Sequence, residues 1–142
     1  MTRDEIEVRA LLESRVDAAQ AKDIDRLMPL FASDVVYFDV VPPMRFAGHD
    51  EVRKNFVRWF DGYEGPITLE TREFTFAVGA DVAFAHMLHL DSGTRTNGMR
   101  SSMLVRSTVC CRRVSGTWLI THEHISLPID PETLRVWLPP EE

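Results

Sequence analysis

Long hydrophobic runs are missing from this chain of 142 residues. No stretch approaches bilayer-spanning length, and the N-terminus, MTRDEIEVRA, lacks the apolar core of a signal peptide. A membrane partner is therefore not expected. Cysteine is nearly absent as well. The only two, Cys110 and Cys111, are adjacent; neighbouring strand side chains point to opposite faces, so a bridge between them is not expected. That usage fits a reducing, cytoplasmic setting. Basic runs are also missing. Pairs such as Arg112-Arg113 occur, but the net charge of −6 argues against nucleic acid as the main partner. There are no repeats, no low-complexity segments and no HExxH motif. The length suits one domain with a single core, residues 1–142, of which 129–142 form a C-terminal tail.

Thr2 and Glu5 have the spacing of a capping box for a first helix running to about Lys22, with Val8, Leu11, Leu12, Val16 and Ala19 as its apolar stripe. Arg15 falls within that stripe. It either snorkels at the edge or points into a partly buried pocket, where it needs an anionic partner. Asp23 can cap a second helix that Pro29 keeps short or kinks, ending at Ser33-Asp34. The strand VVYFDVV follows. Tyr37 and Asp39 share a face with Val35 and Val41, which surrounds a carboxylate with apolar neighbours.

After Pro42-Pro43, a third helix from about Asp50 to Asp61 carries Val52, Phe56, Trp59 and Phe60. Trp59 and Phe60 are candidates for a pocket wall. The remainder reads as long strands. Between Ile67 and Val78 the apolar positions change parity, so a bulge or bend is expected near Thr71 to Glu73. In Val82 to Leu90, His86 and His89 fall on opposite faces, so at most one joins a single site; His86 is taken as the candidate. The segment DSGTRTNGM, Asp91 to Met99, is read as a loop long enough to reach over a pocket mouth. In the next strand Arg106 is the pocket candidate.

The last strand, WLITHEHISLP, is the most suggestive. Unbroken alternation puts Trp118, Ile120, His122, His124 and Ser126 on one face and Glu123 on the other. Two histidines at i and i+2 on a strand can both reach one metal ion, but Glu123 points away and no cysteine pair completes a structural site, so no metal is assigned. His122 and His124 are instead placed with Asp39 in a pocket. Leu134, Val136, Trp137 and Leu138 make a free-floating tail improbable on physical grounds, so it is expected to dock on its own domain or on a neighbouring subunit.

Four stretches, AAQAKDIDRLMPLFASDVVYFDVVPP, FAGHDEVRKNFVRWF, GADVAFAHMLHLDSGTRTNG and SGTWLITHEHISLP, together with the element order, resemble the nuclear-transport-factor-2-like superfamily. Within it the chain is most similar to SnoaL-like and ketosteroid-isomerase-related proteins. The resemblance implies an α+β fold: a cone-shaped, curved, mixed or antiparallel sheet with about three N-terminal helices enclosing a pocket. It implies a homodimer through the sheet face turned away from the pocket, and no cofactor. By position, Asp39 matches the proton-moving aspartate of those isomerases. Arg15 stands where they have a tyrosine, and the second aspartate position falls near Thr108 or Val109, which carry no carboxyl.

Two expectations follow. In the first, the protein is an isomerase, lyase or cyclase acting on an apolar carbonyl or polyketide-like compound. Asp39 is the base, His124, His122 and Arg15 assist, and Tyr37, Trp59, Phe60, His86 and Arg106 line the pocket. In the second, it is a non-catalytic domain of the same fold that binds a small apolar molecule or oligomerises.

Overall fold

The structure is a computed structural model and describes residues 1–139. The last three residues of the expected tail, 140–142, lie outside the described residues. Helix α1 (Arg3–Gln20) starts at the expected capping box: the Thr2 side chain accepts from the Glu5 N–H, and Glu5 returns a bond to the Thr2 N–H. Its inward face buries Val8, Leu11, Leu12, Ala18 and Ala19, and Arg15 with them. Helix α2 (Ile24–Leu27) is capped by Asp23 and passes into a 3₁₀ turn, Met28–Leu30, at Pro29. Pro29 lacks the N–H a longer helix would use there.

Strand β1 (Phe31–Phe38) begins sooner than expected. Ser33 and Asp34 do not end the helix; they lie inside β1, in an irregular stretch between the pairings Phe31–Ile120 and Val36–His122. A short β2 (Arg45–Ala47) pairs with β1, and α3 (His49–Asp61) follows, burying Val52, Asn55, Phe56 and Phe60. Four long strands then build the sheet: β3 (Tyr63–Val78), β4 (Val82–Arg95), β5 (Arg100–Val114) and β6 (Thr117–Ser126). The strand order is β2-β1-β6-β5-β4-β3, with β1 parallel to β6 and every other pair antiparallel. The fold is thus α+β, a curved mixed sheet with three helices on its concave side. Among the described residues no helix is long and apolar enough to cross a membrane.

Curvature comes from bulges. The β3–β4 register breaks between Arg72 and Thr75, and Glu73 adopts φ 52°. This is the bend that the parity change in Ile67 to Val78 requires. A second break lies between Cys110 and Cys111, where β5 pairs first with His122 and then with Ile120. Thr121 is the extra residue, and it reverses the alternation of β6. Trp118 and Ile120 face the core before the bulge; Glu123 does so after it.

Asp91 to Arg95 do not form a loop. They continue β4, held by β3 through Asp91–Leu69 and Ser92–Thr68 and by β5 as far as Thr94–Arg100, so only a tight turn at 96–99 joins β4 to β5. Gly93 is required there: a Cβ would come within 2.5 Å of the Tyr63 ring. The core lies between the helices and the inner sheet face. Ile120, none of whose surface is exposed, contributes on the order of 2 kcal/mol by burial. The tail forms a small hairpin of β7 (Ile129–Asp130) and β8 (Arg135–Val136), and Ile129, Leu134, Trp137 and Leu138 remain exposed rather than packing on the domain.

Candidate active site

A cavity of about 100 Å³ opens between α1, α3 and the inner sheet face. At about 30 Å³ per water it holds roughly three waters or the end of a small organic molecule. Its walls are mostly apolar, with Phe31, Phe56, Leu69, Val105 and Ile125 among them. Val40, Trp59, Met103 and Leu127 also line it, Val40 being exposed. Six lining residues carry chemistry: Arg15, Tyr37, Asp39, His89, Asp91 and Glu123.

Asp39 sits just past the end of β1. Its Oδ1 accepts the Val40 N–H at 2.6 Å and its Oδ2 accepts the Asn55 side-chain amide at 2.8 Å. Asn55 is buried on α3, and its own oxygen accepts from Arg58 Nε and Nη2 at 3.2 and 2.9 Å. Arg58 therefore fixes which end of the amide faces Asp39.

Arg15 points inward and is 6% exposed. Its Nη1 donates to Glu123 Oε2 at 2.6 Å, and Ser107 donates to the same oxygen at 3.3 Å. Arginine has no acceptor, so its Nη2, 3.4 Å from His89 Nε2, makes that nitrogen the acceptor. His89 Nδ1–H then donates to Thr71 Oγ1 at 3.1 Å. Burial, with the Arg15 charge beside it, pushes His89 down to about 3 and keeps it neutral.

Asp91 is the unusual group. Its Oδ1 is shut off from solvent and has no hydrogen-bond partner. Burial pushes its carboxyl up to about 7, helped by Glu123 and Asp39 and opposed by Arg15. Burial likewise holds the Tyr37 hydroxyl well above its ordinary value, with Glu123 and Asp39 adding to the effect, so it stays protonated.

Of the residues singled out in the sequence, the fold brings Asp39, Arg15, Tyr37 and Trp59 to this cavity. The other five lie elsewhere. The Thr121 bulge sends His122 and His124 to the outer sheet face, where they pack edge-on against Phe38 at 4.8 and 5.6 Å. His122 Nδ1 bonds the Val36 carbonyl at 2.6 Å. His86 is exposed on the outer face between Thr75 and Thr108, because it is His89, three residues on, that has inward parity. Arg106 is also outside, tying β5 to Ser126 Oγ and the Leu127 carbonyl. Phe60 is core and does not line the cavity. Three residues were missed: His89, Asp91 and Glu123. Among the described residues no three His, Cys, Asp or Glu side chains gather as a metal-holding group.

An open cone of curved sheet over three helices, with a cavity on its concave side, defines the class. Residues 8–130 match the SnoaL-like domain, and the chain belongs to that family. An NTF2-like protein of unknown function from Pseudomonas putida is similar, with 28% identity, 97% of this chain and 96% of that chain covered, and a TM-score of 0.85. A ketosteroid isomerase-like protein from Erwinia carotovora matches at 18% identity over 89% of this chain and 97% of its own, TM-score 0.77. A protein from Streptomyces avermitilis, provisionally named a dehydratase of the NTF2-like family, matches at 18% identity over 87% and 95%, TM-score 0.77. The last two establish likeness of fold. No protein of curated function matches the chain.

Proposed function

We propose that the protein is a small-molecule isomerase or lyase that moves a proton on an apolar carbonyl compound, of polyketide-like type, inside this cavity. One observation carries the reading: two carboxyl groups in different environments, Asp39 and Asp91, line the same small apolar space. Pairs of titratable groups pushed apart by their surroundings are how one site supplies both an acid and a base. Asp39, oriented by Asn55 and the Val40 N–H, takes a proton from the carbon next to the substrate carbonyl. Asp91, about half protonated near neutrality, donates in its protonated form to the developing oxygen anion. The Tyr37 hydroxyl is a second donor. Return of the proton to another carbon completes an isomerisation; its delivery to a leaving hydroxyl completes a dehydration. The isomerase-like and dehydratase names among structures of the same fold support both outcomes.

Asp91 adds a second carboxyl at a different place, opposite Met103 and five residues along β5 from Thr108, where the resemblance puts the second aspartate. It comes from β4, the strand next to β5.

The test needs no native substrate. Simple ketones are incubated with the protein in deuterated water, and exchange of their α-protons is followed by NMR. Catalysed exchange is expected in the native protein, and its loss in Asp39→Asn with ligand binding nearly intact. The rate should fall as pH rises through about 7, where Asp91 gives up its proton. A second reading, a ligand-binding domain without catalysis, draws on the occupation of both Asp39 oxygens by protein donors. It predicts no exchange, and an Asp39→Asn effect on affinity or stability alone.

A further inference from the structure

A guanidinium buried beside an apolar cavity is ordinarily a receptor for anions, because its donors match a carboxylate. Arg15 is the sole lysine or arginine lining this cavity. Its two terminal nitrogens are already engaged, whereas Nε, also buried, has no partner among the described residues. Nη1 is held by Glu123 at 2.6 Å, and Nη2 lies against Met87 Sδ and His89 Nε2, both at 3.4 Å. Glu123 is 3% exposed and is further held by Ser107. The pair is therefore a neutral, fixed part of the wall. Beside the neutral Tyr37 and His89 side chains, what is left to face a ligand is acidic: the carboxyls of Asp39 and Asp91, the latter with one buried oxygen that no described protein group meets. Such a carboxyl suits a ligand oxygen that accepts a proton or a hydrogen bond. Another negative charge would meet repulsion at low dielectric.

Size narrows the choice. The enclosed volume is about 100 Å³, against the roughly 150 Å³ in which an apolar protein cavity binds benzene. The cavity is partly open, so it takes one ring in part or a short branched chain.

We infer that the cavity selects an uncharged, ring-sized ligand bearing a hydrogen-bond acceptor, and that Glu123 determines this selectivity by cancelling the charge of Arg15. The inference deepens the proposed function by naming the charge class of its substrate. It rests on that reading only for the place of binding, and not on turnover.

Benzamide and benzoate have nearly the same shape and differ by one charge. Each is titrated into the full-length protein at neutral pH, following the Trp59 indole and Met103 methyl NMR signals. Native protein is expected to bind benzamide at least tenfold more tightly. Glu123→Gln keeps an acceptor for Arg15 but removes the cancelling charge, and should shrink that preference at least tenfold or invert it. Arg15→Gln/Glu123→Gln, which removes both charges and keeps the volume, should retain the native preference; it serves if the single variant does not fold. Equal or tighter benzoate binding by native protein overturns the inference. So does failure of both probes to move the two signals, an unchanged preference in Glu123→Gln, or a double variant that binds benzoate more weakly than the native protein does. Absence of α-proton exchange with the benzamide preference intact refutes the catalytic reading alone.

Discussion

His89 and Asp91 lie two residues apart on the inner face of β4, and burial moves their proton affinities in opposite directions. The consequence is a stability profile in which each hides the other. Asp91 holds its proton up to about 7 in the folded protein but only to about 3.9 unfolded. Between those values the native state carries the extra proton, and stability falls as pH rises. His89 releases its proton near 3 when folded and near 6.5 unfolded. There the unfolded state carries the extra proton, and stability rises with pH. From about 4 to 6.5 the two slopes cancel. Asp91→Asn removes one of them, so its unfolding free energy from urea titration should climb with pH across that window, by up to about 1.4 kcal/mol per unit, while the native protein stays flat with respect to this pair. Equal slopes in both proteins would show that Asp91 is not shifted. Arg15 allows a second test at this scale. Arg15→Met strands Glu123 without its cation and should cost roughly 3–5 kcal/mol. Adding Glu123→Leu should recover most of that loss in urea unfolding, because a matched apolar pair carries no desolvation penalty. If the double variant is no better than the single, the pair is not the coupled unit described here.

At the scale of elements, the bulges decide which side chains reach the cavity. Parity showed the one in β3, because Ile67 and Leu69 are odd while Phe74, Phe76 and Val78 are even. The same evidence exists in β6: Trp118 and Ile120 are even, Ile125 and Leu127 odd. Unbroken alternation through Thr121 would put the two histidines on the inner face and Glu123 outside; the bulge there reverses both. Once that parity change is respected, Glu123 must face inward, and a buried partner for Arg15 is then required. In α3 the apolar stripe was legible, but the buried polar Asn55 was not, since its role depends on Asp39 arriving from β1. The β3 bend itself can be probed. Glu73 holds φ 52°, a conformation that costs a residue with a Cβ about 1 kcal/mol and costs glycine little. Glu73→Gly should therefore raise stability by several tenths of a kcal/mol, and Glu73→Val should lower it by about 1 kcal/mol or more. Thermal unfolding that ranks valine level with or above glycine would mean that the bend does not depend on this residue.

For the whole molecule, element order was readable from periodicity and turn residues, but hydrophobicity did not reveal which sheet face was inside. On β4 the inward residues are Ala83, Ala85, Met87, His89 and Asp91, and the outward ones include Val82, Phe84, Leu88 and Leu90. The outward set is the more apolar. A sheet face of this kind left in water is a liability unless something covers it. Phe84 is 50% exposed and Val82 57%, and Leu90 pairs across to Leu104 on the same side. Elsewhere, the hairpin tail leaves Leu134 and Trp137 exposed by 80% and 49%. A second copy of the chain packing on this face would give the homodimer expected from the resemblance, and would explain why apolar residues were spent on the outside while ionisable ones line the inside. Phe84 is a suitable probe because its side chain is on the opposite sheet face from the Arg15–Glu123 pair and does not line the cavity. Native protein should elute with the light-scattering mass of two chains. Phe84→Asp, which sets two carboxylates against an apolar partner face, should shift it to the mass of one chain while circular dichroism stays native. A native mass of one chain, or a Phe84→Asp variant that remains paired, would remove the outer face as the place of association and leave its composition without an explanation.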